Sequence, residues 1–200
     1  MKYMHHMLFL TGFLAMFLAG CGGGGAPGSS GSQHTQVVIN SVNITAESPD
    51  LDANIHVCPD GTPETGLFRE DATLTVDVSP IDPNLEQSPL PATVQECTVT
   101  YKKANEDPAS PILESLTLYP NCALSEGENT CTITLLDIQR KKDYWNSVIS
   151  GINMPAEYPT HYVATFRCKY YGRVSEGDPQ PGYFETAYDF WLADFEKCAL

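Results

Sequence analysis

Between His161 and Arg173 the side chains alternate with a period of two: Tyr162, Ala164, Phe166, Cys168 and Tyr170 share one face, all of them apolar or aromatic. Such a pattern predicts a half-buried strand, and the chain around it has to supply partners for its edges and a cover for its apolar face. Tyr183–Phe195 answers it, dense in aromatic residues that suit a pleated surface. The two are separated by Ser175–Gly182, whose Gly177, Pro179 and Pro181 force a loop, so they are expected to form the arms of a hairpin.

The rest of the chain follows the same grammar. Val37–Thr45 is apolar and β-branched, with Val38, Asn40, Val42 and Ile44 on one face and Val37 and Ile39 on the other. Glu47–Asp52 reads as a turn around Pro49, Ala53–Val57 as a short strand, and Ala72–Val78 as a strand burying Leu74, Val76 and Val78. Four prolines between Ser79 and Pro91 exclude a helix interior or a central strand and predict a crossing loop. In Thr93–Lys103 the set Gln95, Cys97, Val99 and Tyr101 is expected inside, and Ile112–Tyr119 is expected to return beside it as a hairpin. Asn129–Leu136 turns Cys131, Ile133 and Leu135 inward. Asp137 can then cap a short helix through about Val148, with Ile138, Tyr144, Trp145 and Val148 as its apolar side and Gly151 and Pro155 ending it. Seven to eight short strands with one helical crossover predict an all-β, antiparallel β-sandwich, a single domain over residues 37–200. A strand holding Cys97, a hairpin, a helical link and a Tyr- and Phe-rich strand holding Cys168 together resemble an immunoglobulin-like or fibronectin type III-like domain. No tryptophan follows Cys97 at the spacing of antibody domains, and Phe166 stands where a corner tyrosine would be.

Before the domain come a positive start at Lys2, an apolar run Met7–Leu18 broken only by Thr11 and Gly12, and the tetrad Leu18-Ala19-Gly20-Cys21. Twelve residues at helical rise reach only about 18 Å, short of a hydrocarbon core of roughly 30 Å, so the run fits an export signal and not a span. The segment resembles a bacterial lipoprotein signal with its lipobox. That resemblance implies cleavage after residue 20, a signal peptide over 1–20 and a mature chain starting at Cys21 with acyl groups, such as palmitate, on its thiol and amine. Two or three acyl chains, each stabilising attachment by about 0.8 kcal/mol per buried CH₂, anchor a protein firmly. Residues 21–36, rich in Gly and Ser, then form a flexible tether of roughly 20 Å. Gly22, and not aspartate, follows the cysteine, which in the resembled family points to the outer membrane, on its periplasmic face or at the cell surface.

An exported chain can oxidise its thiols, and six cysteines lie in the domain: Cys58, Cys97, Cys122, Cys131, Cys168 and Cys198. An even number predicts three disulfides, with fifteen pairings open. Cys122 and Cys131 flank the turn Ser125–Asn129 and are expected to pair; Cys58 with Cys97 and Cys168 with Cys198 are the preferred remainder. A metal role is disfavoured, because there is no C-x-x-C and the His56-Val57-Cys58 neighbourhood has no second cluster at zinc spacing.

The whole chain carries 25 acidic and 11 basic residues, and removing the signal takes away Lys2 alone, so the mature charge is 10 − 25, or −15. That charge repels nucleic acid and anionic headgroups. Partners are expected to be the membrane, through the lipid anchor, and a protein or a neutral glycan. No catalytic motif stands out: the Gly-Ser tract at residues 28–32 is linker, and His34, His56 and His161 have no partner placed by a motif. The expectation is therefore a non-enzymatic envelope protein without a cofactor, acting in binding or assembly. Two other classes stay open: a calcium-dependent adhesion or glycan-binding module using Asp50, Asp52 and Asp60 or Glu126 and Glu128, and a glycan-active hydrolase using paired carboxylates. Arg140-Lys141-Lys142 is a candidate docking patch for an acidic partner or headgroups. The last hairpin is the candidate binding surface. One of its faces must be core, leaving Tyr171, Tyr183 and Trp191 either for recognition or as a second packing layer under the helix.

Overall fold

The computed structural model describes residues 35–54, 61, 67–84, 86–173 and 181–195. Cys21, the tether as far as His34, Cys58, Asp60, His56 and Cys198 lie outside them. Nine strands and one helix are described: β1 (Val37–Ala46), β2 (Asp50–Asp52), β3 (Glu70–Pro80), β4 (Ala92–Lys103), β5 (Leu116–Leu118), β6 (Cys122–Leu124), β7 (Gly127–Leu136), α1 (Ile138–Ile149), β8 (Thr160–Tyr171) and β9 (Gly182–Ala193). They build a sandwich of two sheets. One has the order β1-β3-β7 and the other β2-β9-β8-β4-β5, with β6 also on β4. Apart from the parallel pair β2 and β9, neighbouring strands are antiparallel. A three-stranded sheet of the first, second and fourth long strands facing a sheet ordered last, fifth, third and its hairpin mate follows the A-B-E and G-F-C-C′ pattern of immunoglobulin-type sandwiches.

The inner faces carry the core. Leu74, Val76 and Val78 of β3, Cys131, Ile133 and Leu135 of β7, and Tyr162, Ala164, Phe166, Cys168 and Tyr170 of β8 are all buried, as their alternation predicts. Three strands depart from simple alternation, each at a break in register; in β7 the break against Glu70 and Asp71 leaves Leu135 and Leu136 both buried. In β1 the shift between Ile39 and Ser41 adds a residue, so Val37 and Ile39 face inward together with Val42 and Ile44. In β4 the shift between Val94 and Glu96 leaves Gln95 exposed and turns Val94 in beside Cys97 and Val99. A bulge reverses the parity of everything after it, so both inner sets pack at once.

The Glu47–Asp52 region is not simply a turn. Asp50–Asp52 lies parallel to β9, held by Trp191 N–H donating to Pro49 O (2.8 Å) and Ala53 N–H to Ala193 O (2.7 Å). Residues 55–57 of the strand expected to follow lie outside the described residues, and Ala53 is past the end of β2. The expected hairpin return at Ile112–Tyr119 contracts to β5, which ends before Pro120, a residue without an N–H to give the ladder. The chain rejoins the same edge of β4 as β6 and then crosses to the other sheet as β7. Gly127, at φ +90°, makes that turn. Asn129 fixes it, its side chain accepting from Ser125 N–H (2.9 Å) and donating to Ser125 O (2.7 Å) and Gly127 O (2.8 Å).

Cys122 and Cys131 pair as expected across this turn. The other bridge differs from expectation: Cys97 joins Cys168, its direct neighbour across β4 and β8, with Cα atoms 4.0 Å apart. The pairings Cys58 with Cys97 and Cys168 with Cys198 are thereby excluded. Register alone puts Cys97 opposite Cys168, and register depends on the bulge that sequence alternation misses.

Helix α1 joins the two sheets. Asp137 caps it, accepting from Arg140 N–H (2.9 Å), an interaction that typically stabilises a helix by about 1 kcal/mol. Its Tyr144 is buried, with its hydroxyl 2.8 Å from Thr160 Oγ1 and donating to Leu192 O (2.9 Å), and burial pushes its pKa up to about 12. Tyr101 and Tyr162 are likewise raised by burial, and their hydroxyls donate to Leu135 O and Pro111 O, both at 2.7 Å. Each of these tyrosines satisfies its one polar atom on a backbone carbonyl of another segment, so an aromatic core carries cross-links between layers and loops.

Candidate functional site

The alternation that buries Tyr162–Tyr170 sends the intervening residues of β8 to the outer face of the larger sheet, and β9 does the same from Tyr183 to Trp191. Tyr171, Tyr183 and Trp191 therefore share one face, each partly exposed. Trp191 stands opposite His161 in register, and the two rings stack at 4.5 Å with an interplanar angle of 10°. His161 Nε2 lies 3.0 Å from Asp189 Oδ1, which fixes the imidazole in turn. The Arg167 guanidinium sits 5.0 Å from the centre of the Tyr183 ring and 3.5 Å from Glu185 Oε1. The Lys169 ammonium is 5.4 Å from the Tyr171 ring, and its interaction with Tyr171, aided by Tyr183 and Glu96, holds its pKa above the ordinary lysine value. Each ring is thus braced from one side by a cation or an imidazole, which limits its rotation before any ligand arrives.

The helix does not lie over this face. Tyr144 reaches Thr160 Oγ1 and Leu192 O and meets the Tyr162 ring edge-on, all on the inner side, so the packing of a second layer under α1 is not what positions the three aromatics. β8 and β9 carry the face along their twelve-residue length. Tyr171 and Tyr183 are at the end where the chain enters β1, because Thr35 O packs against Gly172. Trp191 and His161 are at the far end.

The basic cluster disperses. Arg140 donates to Asp137 Oδ2 (2.6 Å), Glu114 O (2.6 Å) and Ser115 O, and so ties the helix start to the chain before β5. Lys141 is buried, 2.5 Å from Glu70 Oε1. Lys142 alone of the three is exposed, so no docking patch forms there. Apart from Asp137, the partners of Arg140 and Lys141 come from segments 25 to 71 residues away, which sequence spacing does not show.

The acidic candidates also separate. Asp52 Oδ1 accepts from Asn54 N–H (3.1 Å) and Phe195 N–H (3.3 Å), and Glu126 and Glu128 flank Gly127 at a turn. Among the described residues no three His, Cys, Asp or Glu side chains gather at metal-binding distance. A cleft of about 520 Å³ lies between the end of β4 and the loop before β5, lined by Tyr101, Lys102, Lys103, Glu106, Ile112, Leu113 and Tyr162. It carries one carboxylate, Glu106. A second cleft, of about 190 Å³, has Asp71, already paired with Arg69 (3.1 Å) and bonded to Thr134 (3.2 Å). Neither lining supplies two acids.

The pairing of His161 was not legible: counting both arms outward from the expected loop sets it opposite Phe195, whereas the observed register, with Lys169 opposite Tyr183, sets it opposite Trp191. Compared with known proteins, the chain matches no family model, no curated protein and no solved structure.

Proposed function

We propose that the chain is an outer-membrane lipoprotein, anchored through acylated Cys21, whose sandwich acts without catalysis by binding a partner on the outer face of its larger sheet. The observation that carries the binding half of this reading is the convergence of Tyr171, Tyr183 and Trp191 on one face, each ring held by a neighbouring charged or imidazole side chain. Exposed, pre-oriented aromatic side chains are the usual anchors of recognition surfaces, because they offer large contact area with few torsions left to freeze. The anchoring half rests on Leu18-Ala19-Gly20-Cys21 and the Gly- and Ser-rich tract that follows. A tether of that composition lets the domain stand off the bilayer.

Replacing Cys21→Ser tests the anchor. The wild-type protein is expected in the detergent-extractable membrane fraction and labelled by a clickable palmitate analogue, whereas the variant loses the label. Labelling that persists in the variant, or a wild-type protein recovered wholly from the soluble fraction, contradicts the reading.

A further inference from the structure

From the outer sheet face we infer a ligand class: a neutral, ribbon-like polysaccharide lying along β8 and β9 from Tyr183 to Trp191. The inference rests on the binding reading above and narrows it. Three features of the face carry it.

The first is charge. The whole chain has a net charge of −14, yet along the middle of this face β4, β8 and β9 set Lys102, Arg167 and Lys169 against Glu96, Glu185 and Asp189, three cations against three acids, with the excess acid, Asp50 and Asp52 of β2, confined to the edge beside Trp191. Arg167 with Glu185, and Lys169 near Glu96, are already neighbours. A locally balanced surface on an acidic protein neither attracts nor orients an ionic partner, and its complement is an uncharged one.

The second is chemistry. Between the aromatic ends the face is made of short or polar residues: Thr98, Thr100, Thr165, Ala187 and Val163. Protein partners are usually held by a desolvated apolar centre with a polar rim. Here the order is reversed, with hydroxyls in the middle and aromatic rings at the two ends. A sugar suits that order, since its C–H face packs on the negative face of an aromatic ring while its hydroxyls bond to Thr, Arg and carboxylate groups.

The third is length. Tyr183 and Trp191 are eight residues apart on one strand, about 26 Å at strand rise, more than a single sugar ring can bridge. A ligand that engages both is a chain. Both platforms sit on the same open sheet face, which favours a flat β-linked ribbon over a coiled polymer.

The test is native affinity electrophoresis of the full-length protein in detergent, in gels cast with hydroxyethylcellulose or with glucomannan, against Trp191→Ala and Tyr183→Ala. Near-UV circular dichroism checks that both variants keep the wild-type fold, and Thr73→Ala, exposed on β3 of the smaller sheet, serves as the control. Wild type and control are expected to be retarded by at least one of the two polymers, with no loss on raising salt, and each ring variant to bind roughly tenfold more weakly. Absence of retardation by both polymers overturns the ligand class, as does equal retardation of folded wild type and both ring variants. A photo-reactive residue at position 187 that crosslinks to a protein in intact envelopes also overturns it, while leaving the anchored binding protein in place. Loss of the acyl label from Cys21 bears on the anchor alone, so the two readings fail separately.

Discussion

Replacing Cys97 and Cys168 together by alanine is expected to lower the unfolding free energy by about 4 kcal/mol, the entropy of closing a loop between thiols 71 residues apart. The bridge joins β4 to β8, central strands of the larger sheet, and both cysteines are fully buried, so the small cavity that alanine leaves adds to the loss. Removing Cys122 and Cys131, nine residues apart, is expected to cost roughly 2.5 kcal/mol by the same reasoning. Urea unfolding of the two paired variants gives the comparison directly. The long-range bridge should matter more, and a reversed order, or a change below about 1 kcal/mol for Cys97 and Cys168, contradicts a covalent tie at this point of the fold.

The second large effect concerns Lys141, whose side chain is 1% exposed and meets Glu70, itself 30% exposed. Lys141→Ala removes the ammonium and leaves a carboxylate half out of water with no cation beside it. A fully buried pair broken in this way costs 3–5 kcal/mol; the exposure of Glu70 brings the expectation to about 2 to 3 kcal/mol. Lys141→Met with Glu70→Leu removes both charges and fills the space, and that pair should recover most of the loss. If the double variant is no more stable than Lys141→Ala alone, the cost comes from packing of the lysine stem and not from the stranded carboxylate.

The contrast between these residues shows which parts of the fold can be read in advance. β8 and β9 pair without a register break, and β3 and β7 keep register from Asp71 to Val78, so their buried sets there follow from alternation alone, and the helix start follows from Asp137. β1 and β4 carry bulges, and beyond a bulge the parity of the sequence no longer tells inside from outside. The Cys97 partner is a consequence of cross-strand register and was out of reach for the same reason. β2 was hidden by Pro49, which marks a turn, although its carbonyl still accepts from Trp191 and so starts a parallel pair. Arg140 and Lys141 look like surface charge in a linear chain because their partners, Glu114, Ser115 and Glu70, come from distant segments. The aromatic face was legible, since Tyr171, Tyr183 and Trp191 lie off the buried register of the last hairpin. The stacking of His161 on Trp191 and the cations beside the tyrosines were not, because they depend on cross-strand geometry.

Electrospray mass of the intact protein, purified from membranes and treated with a thiol alkylator under denaturing, non-reducing conditions, tests the account most directly. The expected species begins at Cys21, carries the mass of its acyl groups, and takes up no alkylator at any of the six cysteines of the domain, with Cys58 and Cys198 then the remaining pair. A species that retains Met1, or one alkylated at Cys97 or Cys168, would contradict an exported, acylated and oxidised protein.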